Sequence, residues 1–141
     1  MKAKLKQLEL TTFVIDDSVY YVAPIEGYEN YYGSTCGFII STRLIEPKVL
    51  LGNETHNGYL RVKISPSCLD KPMNLRIHRL IAQTFYDCDP LDYEGNLRFE
   101  VNHINGVKAD NKVTNLEWCS NLENKAHFNS VTRVLQKLLE A

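Results

Sequence analysis

The fold is decided by residues 101–127, which read VNHINGVKADNKVTNLEWCSNLENKAH. Residues 97–101 alternate apolar and polar side chains, a pattern that predicts a half-buried strand. Asn105-Gly106 predicts a tight turn, because both residue types tolerate positive φ. Residues 113–119 then form a second extended segment, so the sequence predicts a strand, a turn and another strand.

A helix is predicted to follow this hairpin. Ser120 and Glu123 have the spacing of a capping box, in which the serine oxygen accepts from the Glu123 amide and the carboxylate reaches back. The helix therefore begins at about Asn121. Asn124 and His127 lie three positions apart and share one face of it.

The residue types on this hairpin and helix suit one kind of chemistry. Hydrolysis of a phosphodiester needs charge stabilisation, an activated water and a stabilised leaving oxygen. Asparagine oxygens suit Mg²⁺, and a histidine with a pKa near ~6.5 has a neutral form that takes a proton from water. The pattern indicates one hard divalent cation beside a neutral imidazole. Taken singly, each asparagine is also explained by ordinary turn chemistry.

The same stretch resembles the H-N-H motif of the HNH nucleases, in the variant typical of phage and intron homing endonucleases. The signature positions are His103, Asn115 and Asn124. The resemblance implies a ββα-metal fold with His103 as general base and Asn115 fixing the imidazole through its backbone or amide. It also implies Mg²⁺, with Mn²⁺ able to substitute, bound by Asn102 and Asn124. Many relatives have Asp where this chain has Asn102, and the lost charge predicts weaker metal affinity.

Residues 25–41 carry a second resemblance, to the nuclease-associated modular motif of the fourth type. The phrase IEGYENYY leads into STCGFIIS, which corresponds to a short strand of that motif. Phe38 stands where the motif has Arg, Thr35 stands where it has Asn, and Tyr20 or Tyr21 replaces an upstream tryptophan. Two interpretations stay open for this segment: a DNA-contacting strand, or an aromatic β core.

Two further elements lie between these regions. Residues 57–64 alternate cleanly and predict a strand with Arg61 and Lys63 exposed. Asn74 is predicted to cap a helix over residues 75–85. The phrase IHRLIAQTF within it resembles the helix that precedes the HNH motif in the family, and its histidine, His78, is expected to be structural.

The charge distribution restricts DNA binding to a few residues. A formal charge of −1 and a pI of about 6.4 are unusual for a nucleic-acid binder. His127 has three open roles: a metal ligand, a phosphate contact or a solvated helix residue. The acidic stretch over residues 87–94 is expected to face away from DNA. The residues predicted to contact DNA are Arg61, Lys63, Arg76, Arg79, Lys108, Lys112 and His127.

Composition indicates an ordinary globular protein. The chain has 141 residues, 44% of them hydrophobic and 23% charged, enough for one domain or two small ones sharing a core. No stretch resembles a signal peptide or a membrane span, so we expect a cytoplasmic protein, in a bacterial host if it is phage-encoded. The four cysteines form no C-x-x-C pair, which predicts reduced core thiols and no structural zinc.

The sequence as a whole predicts an α+β protein. Residues 1–66 form a β-rich nuclease-associated DNA-binding module, and residues 67–141 form an HNH nuclease domain ending in an amphipathic helix. The leading function is a metal-dependent, phage-encoded endonuclease acting on double-stranded DNA, and the alternative is a non-catalytic DNA- or protein-binding phage factor. The helix packs on its own domain, on a second copy or on another protein, through Val131, Val134, Leu135, Leu138 and Leu139.

Overall fold

The computed structural model describes residues 3–69, 71–88 and 90–140, with side chains for all of these except residues 3, 88, 129–136 and 140. The described residues form short strands and two helices. The strands are β1 (Ala3–Leu5), β2 (Thr11–Ile15), β3 (Ser18–Pro24), β4 (Tyr31–Ser34), β5 (Ile39–Ser41), β6 (Lys48–Leu50), β7 (Asn53–Glu54), β8 (Leu60–Ile64), β9 (Met73–Arg76), β10 (Tyr86–Cys88), β11 (Glu100–His103) and β12 (Leu116–Cys119). The helices are α1 (Ile77–Phe85) and α2 (Asn121–Glu140).

All strand pairing is antiparallel and follows chain order closely. Strands β2 to β6 form a five-stranded meander, and β7 to β9 form a three-stranded sheet. Strands β11 and β12 form a hairpin, whereas β1 pairs with β10. Helix α1 packs against strands of all four sheets and is the central element of the fold. The predicted α+β class is confirmed.

One hydrophobic core runs through both halves of the chain. It joins the five-stranded sheet, the three-stranded sheet, α1 and the β11–β12 hairpin. Its fully buried isoleucine and leucine side chains each contribute roughly 1.5–3 kcal/mol relative to an exposed position. The core residues are Ala23, Ile25, Tyr31, Ile39, Val62, Ile64, Ile77, Leu80, Ile81, Ala82, Phe85, Val101, Val113 and Leu116. The predicted boundary between residues 66 and 67 therefore crosses a continuous core.

Helix α1 begins later than the sequence predicted. Asn74 does not cap it, because Asn74 pairs with Lys63 in the three-stranded sheet. The residue at the N-cap is Arg76, in extended conformation and with no side-chain cap bond. Asn74 and Leu75 therefore belong to strand β9 and not to the first turn of the helix. The cap prediction was wrong.

The strand predicted over residues 97–101 was also wrong in its first half. Strand β11 begins at Glu100, and the side chains of Leu97 and Phe99 are 63% and 61% exposed. Arg98 is buried instead, with its Nε 2.9 Å from Oε1 of Glu123 on α2. A buried charge is tolerated only when it is paired, and this ion pair fixes α2 to the hairpin.

Removing the Arg98 charge should destabilise the fold strongly. We expect Arg98→Met to lower the free energy of unfolding by about 3 kcal/mol, because it leaves the partly buried Glu123 carboxylate without its ion pair. Urea denaturation measures the change. Arg61→Met, at an exposed arginine on β8, is the control and should shift the free energy by less than about 0.5 kcal/mol. Equal shifts in the two variants would show that the pair contributes nothing.

Cysteine burial is mixed. Cys119 is buried and Cys36 is half-buried, but Cys68 is exposed. The expectation of a core thiol is therefore right for Cys119 and wrong for Cys68. The side chain of Cys88 lies outside the described residues.

Helix α2 extends over 20 residues. Leu138 and Leu139 on it are 68% and 85% exposed, whereas the side chains of Val131, Val134 and Leu135 lie outside the described set. Neither helix of the described chain is long and apolar enough to cross a membrane. Asp89 of the acidic stretch also falls outside the described residues.

Candidate active site

The β11–β12 hairpin places His103 at the end of its first strand. His103 pairs with Leu116 across the hairpin, and the chain then turns at Asn105-Gly106 as predicted. Gly106 has φ +76° and donates its amide proton to the His103 carbonyl over 2.9 Å. A 3₁₀ turn over Val113–Asn115, which the sequence had suggested as extended, leads into β12.

The His103 imidazole is buried and held by one side-chain hydrogen bond. Its Nε2 lies 2.8 Å from Oδ1 of Asn111. Because an amide oxygen only accepts, Nε2 carries the ring proton and Nδ1 carries the lone pair. Within the described part of the chain, His78 Nδ1 is the only side-chain nitrogen or oxygen that is both shielded from solvent and without a hydrogen bond. His103 Nδ1 is not such an atom, so it keeps access to solvent.

Two more rings pack against His103. The His78 ring lies 5.0 Å from the His103 ring and 5.0 Å from the Tyr59 ring, between centroids. Burial, with the neighbouring His103, Arg76 and Arg79, lowers the pKa of His78 from 6.5 to about 3. Burial also lowers the pKa of His103, against an opposing contribution from its bond to Asn111. Both imidazoles are therefore neutral at pH 7.

Asn115 closes the loop rather than holding the imidazole. Its Oδ1 accepts from the Asn105 amide over 2.9 Å, and its Nδ2 donates to Asn105 Oδ1 over 2.9 Å and to the Asp110 carbonyl over 2.7 Å. Its carbonyl accepts from the Ile104 amide. The ring partner that the sequence assigned to Asn115 is Asn111, and Asn115 acts on the backbone that follows His103.

The two predicted metal ligands have their amide groups oriented by carboxylates. Nδ2 of Asn102 donates to Oε1 of Glu117 over 3.1 Å, and Nδ2 of Asn124 donates to Oε2 of Glu100 over 3.1 Å. Glu100 and Asn102 are two positions apart on β11 and so share one face of the strand. Within the described chain, no hydrogen bond occupies Oδ1 of either asparagine.

The start of α2 is built as the sequence predicted. Ser120 Oγ accepts from the Glu123 amide over 3.2 Å, and Glu123 Oε1 accepts from the Ser120 amide over 3.0 Å. One turn later, Nε2 of His127 donates to the Ile104 carbonyl over 2.9 Å. His127 therefore fastens α2 to the turn that follows His103.

Three of the predicted DNA-contacting residues form a basic face. Arg61 pairs directly with Arg76 across β8 and β9, and Lys63 is two positions further along β8. Residues opposite or two apart in a sheet point to the same side. All three are exposed, so the basic sheet face, defined as Arg61, Lys63 and Arg76, is open to solvent. Lys112 is exposed as well, next to Asn111.

Two other predicted DNA contacts are engaged within the protein. Arg79 donates to the Phe99 carbonyl over 2.7 Å, with its guanidinium 5.5 Å from the Trp118 ring centroid. Lys108 donates to the Asn57 carbonyl over 2.7 Å, with its ammonium 4.9 Å from the Tyr59 ring centroid. These cations join neighbouring elements together.

Sequence reasoning missed Asn111, Tyr59 and the two carboxylates, Glu100 and Glu117. A signal existed for Glu100, because it lies two positions before Asn102 in a predicted strand and must share its face. No comparable signal existed for Asn111. Its contact with the His103 ring depends on the path of the loop, which no periodicity reports.

The donor set fits a hard divalent cation. Amide and carboxylate oxygens are the ligands that Mg²⁺ prefers, and the two asparagine oxygens are presented by oriented amides. Among the residues that the structure describes, no three His, Cys, Asp or Glu side chains converge on one point. A cation here would be held by neutral amides, whose nitrogens donate to the two carboxylates.

Comparison with known proteins places this chain in a family. The chain is 38% identical over 105 residues to the uncharacterized HNH endonuclease L247 of Acanthamoeba polyphaga mimivirus, and 36% identical over 107 residues to its HNH endonuclease L245, also uncharacterized. Its fold matches the HNH homing endonuclease I-HmuI, for which DNA binding and cleavage are described, with a TM-score of 0.57, 27% identity and coverage of 82% of this chain. The chain belongs to the HNH endonuclease family.

The match is to part of these proteins. It involves 74% of this chain but only 24% and 28% of the two mimivirus proteins, so the chain spans about a quarter of the curated relatives it matches. It covers 64% of the I-HmuI chain. No family model matches the chain. The predicted resemblance to HNH nucleases is confirmed.

Proposed function

We propose that this HNH protein is a metal-dependent endonuclease that hydrolyses phosphodiester bonds of double-stranded DNA. The observation that carries the proposal is the arrangement at the end of β11. His103, with a neutral imidazole oriented by Asn111, directly follows Asn102. The Asn102 amide nitrogen donates to Glu117, which leaves the amide oxygen of Asn102 free. Family membership and the DNA-cleaving structural neighbour support it.

His103 acts as the general base. Asn111 holds its Nε2–H, so Nδ1 takes the proton from the attacking water. Its lowered pKa keeps the ring unprotonated at neutral pH. His78 beneath it stays neutral and adds no opposing charge when His103 becomes an imidazolium.

Asn102 and Asn124 would hold the cation through their amide oxygens. When bound, Mg²⁺ supplies Lewis-acid stabilisation of the charge that develops on the phosphate and the leaving oxygen. Glu117 and Glu100 orient the two amides from behind, as outer partners of metal ligands commonly do.

The basic sheet face is the proposed phosphate contact. If Arg61 and Lys63 each neutralise one phosphate, replacing both with alanine should flatten the slope of log affinity against log salt by about 1.8 units, since each phosphate contributes about 0.9. Affinity should fall alike for all sequences, because phosphate contacts position the protein without reading bases. Fluorescence anisotropy on a labelled duplex, titrated with salt, measures the slope.

Lys48→Ala with Lys137→Ala is the matched control for this charge removal. Both lysines are exposed, on β6 and α2, and neither belongs to the basic sheet face. The double control removes the same charge and should leave the slope within about 0.3 units. If the two double variants flatten the slope equally, the charge acts non-specifically and the sheet face is not the phosphate contact.

A plasmid assay tests the function. Purified protein with supercoiled DNA and Mg²⁺ should yield nicked circles, and EDTA should abolish the product. One active site per chain attacks one strand, so a monomer nicks, and linear product requires two copies. Nicking that persists in EDTA would overturn the metal-dependent mechanism.

A non-catalytic DNA- or protein-binding role is the second candidate. Two observations favour it: the net charge of −1, and Asn102 at the position where many HNH enzymes have an acid. The two functions differ in one measurement, since a binder shifts DNA mobility without nicking it at any Mg²⁺ or Mn²⁺ concentration.

A further inference from the structure

We propose that Asn111 is a positioning residue for His103, and that the N-terminal five-stranded sheet holds Asn111 in place through Gly37. Only the activity measurement that tests this inference rests on the proposed function. It assigns the N-terminal module a task inside the active site, in addition to any contact with DNA.

The first step is the contact between the two side chains. Asn111 is 4% exposed and His103 is 5% exposed, and their Oδ1–Nε2 bond is the hydrogen bond that fixes the ring. The ring is packed on its other side by His78 and, further off, by Tyr59. Without the Asn111 acceptor, ring packing alone would restrain the imidazole, and packing does not specify which way its nitrogens point.

The second step is the contact between Asn111 and the sheet. Gly37 lies in the turn between β4 and β5 with φ +92°, and a Cβ built on it would lie 2.3 Å from the Asn111 carbonyl carbon. Backbone therefore presses against backbone, which only glycine permits. Next to it, the Val113 amide donates to the Thr35 carbonyl over 3.1 Å. The two residues that flank Lys112 are thus fixed to one turn of the N-terminal sheet.

A second N-terminal element reaches the same loop. Lys108 donates to the Asn57 carbonyl in the turn between β7 and β8 and lies over the Tyr59 ring. The loop that carries Asn111 is therefore attached to the N-terminal half at both ends. The position of this loop therefore depends on the N-terminal half of the chain, although the loop is part of the HNH motif in sequence.

The ring proton of His103 gives a test that does not depend on activity. A hydrogen-bonded and buried ring N–H exchanges slowly enough with water to be seen by proton NMR at neutral pH. We expect this resonance, assigned by its loss in His103→Ala, to disappear in Asn111→Ala. It should persist in Asn111→Asp, which keeps an acceptor, and in Asn53→Ala, the same substitution at an exposed asparagine.

Nicking of supercoiled plasmid gives the activity readout. We expect Asn111→Ala to lower kcat by about 10- to 100-fold with little change in the affinity for DNA, the size of effect produced by a misplaced catalytic group. Asn111→Asp should recover most of the rate, and Asn53→Ala should match the wild type. A loss of affinity in place of kcat would overturn the positioning role.

Gly37→Ala tests the contact between the N-terminal sheet and the Asn111 backbone, with Gly95→Ala as its matched control. Gly95 has φ +85° but nothing within 4 Å of an added Cβ, so it carries the same backbone strain without the contact. We expect only Gly37→Ala to shift or broaden the His103 ring resonance. The same resonance in both glycine variants would overturn the role of the sheet.

The Asn111 variants decide the first half of the proposal whatever Gly37→Ala does. If the chain cuts no DNA at all, the proposed function fails, yet the ring resonance still reports on Asn111. A His103 resonance unchanged in Asn111→Ala would overturn the proposal even in an active nuclease.

Discussion

His103→Ala is expected to lower the rate of plasmid nicking by about 10²–10⁴-fold, the usual cost of removing a positioned general base. The residual rate would come from whatever charge stabilisation the remaining site provides. His56→Ala is the control, because His56 is an exposed histidine on the chain between β7 and β8. It should nick at the wild-type rate.

The fold should survive the loss of His103 well enough for the comparison. The ring is buried but lies at the edge of the hairpin, and the core cluster does not include it. His103→Gln, which fills more of the space and keeps a hydrogen-bonding group for Asn111, is a second variant with the same expected loss. Wild-type nicking by either folded variant would remove His103 from the mechanism.

Asn124→Ala is expected to have the next largest effect. Activity in Mg²⁺ should fall by about 100-fold or more, beyond the 10- to 100-fold typical of an outer-sphere partner, because half of the proposed protein ligand set is lost. Activity should recover partly at high Mn²⁺, which binds nitrogen and oxygen ligands somewhat more readily. The measurement is the nicking rate across a titration of each metal.

Asn121→Ala is the matched control for this substitution. Asn121 lies on the first turn of the same helix, and its Nδ2 donates to the same carboxylate, Glu100, over 3.3 Å. Its loss removes a comparable hydrogen bond without removing a proposed ligand, so the metal requirement should change by less than about threefold. Mn²⁺ binding, followed by electron paramagnetic resonance, gives a readout without DNA. Equal Mn²⁺ affinity in Asn124→Ala and Asn121→Ala would show that Asn124 holds no metal.

The parts of the site that could be predicted from sequence are those set by local chemistry. The Asn105-Gly106 turn needs positive φ, and it forms where predicted. The capping box of Ser120 and Glu123 depends on a spacing of three, and both of its hydrogen bonds are present. The alternation over residues 57–64 predicted a strand with Arg61 and Lys63 exposed, and that strand forms over Leu60–Ile64, whereas residues 57–59 lie outside it.

The errors arose where distant elements override local preference. Asparagine is a good helix cap by type, but Asn74 pairs with Lys63 in the three-stranded sheet. Arg98 is a polar position of the alternation over residues 97–101, yet it is buried because Glu123 supplies its countercharge from α2. Asn111 looks like a turn residue, but its side chain contacts His103 and its backbone lies against Gly37 of the N-terminal sheet. None of these partners is adjacent in sequence.

The most direct test of the nuclease account is a ligase assay on the nicked plasmid. Hydrolysis by a base-activated water should leave 5′-phosphate and 3′-hydroxyl ends, which is the chemistry the HNH resemblance implies. The account predicts that wild-type protein with Mg²⁺ converts supercoiled DNA to nicked circles that DNA ligase reseals, and that His103→Ala, purified identically, produces none. Equal nicking by wild type and His103→Ala, or no nicking by wild type with any divalent metal, would contradict it.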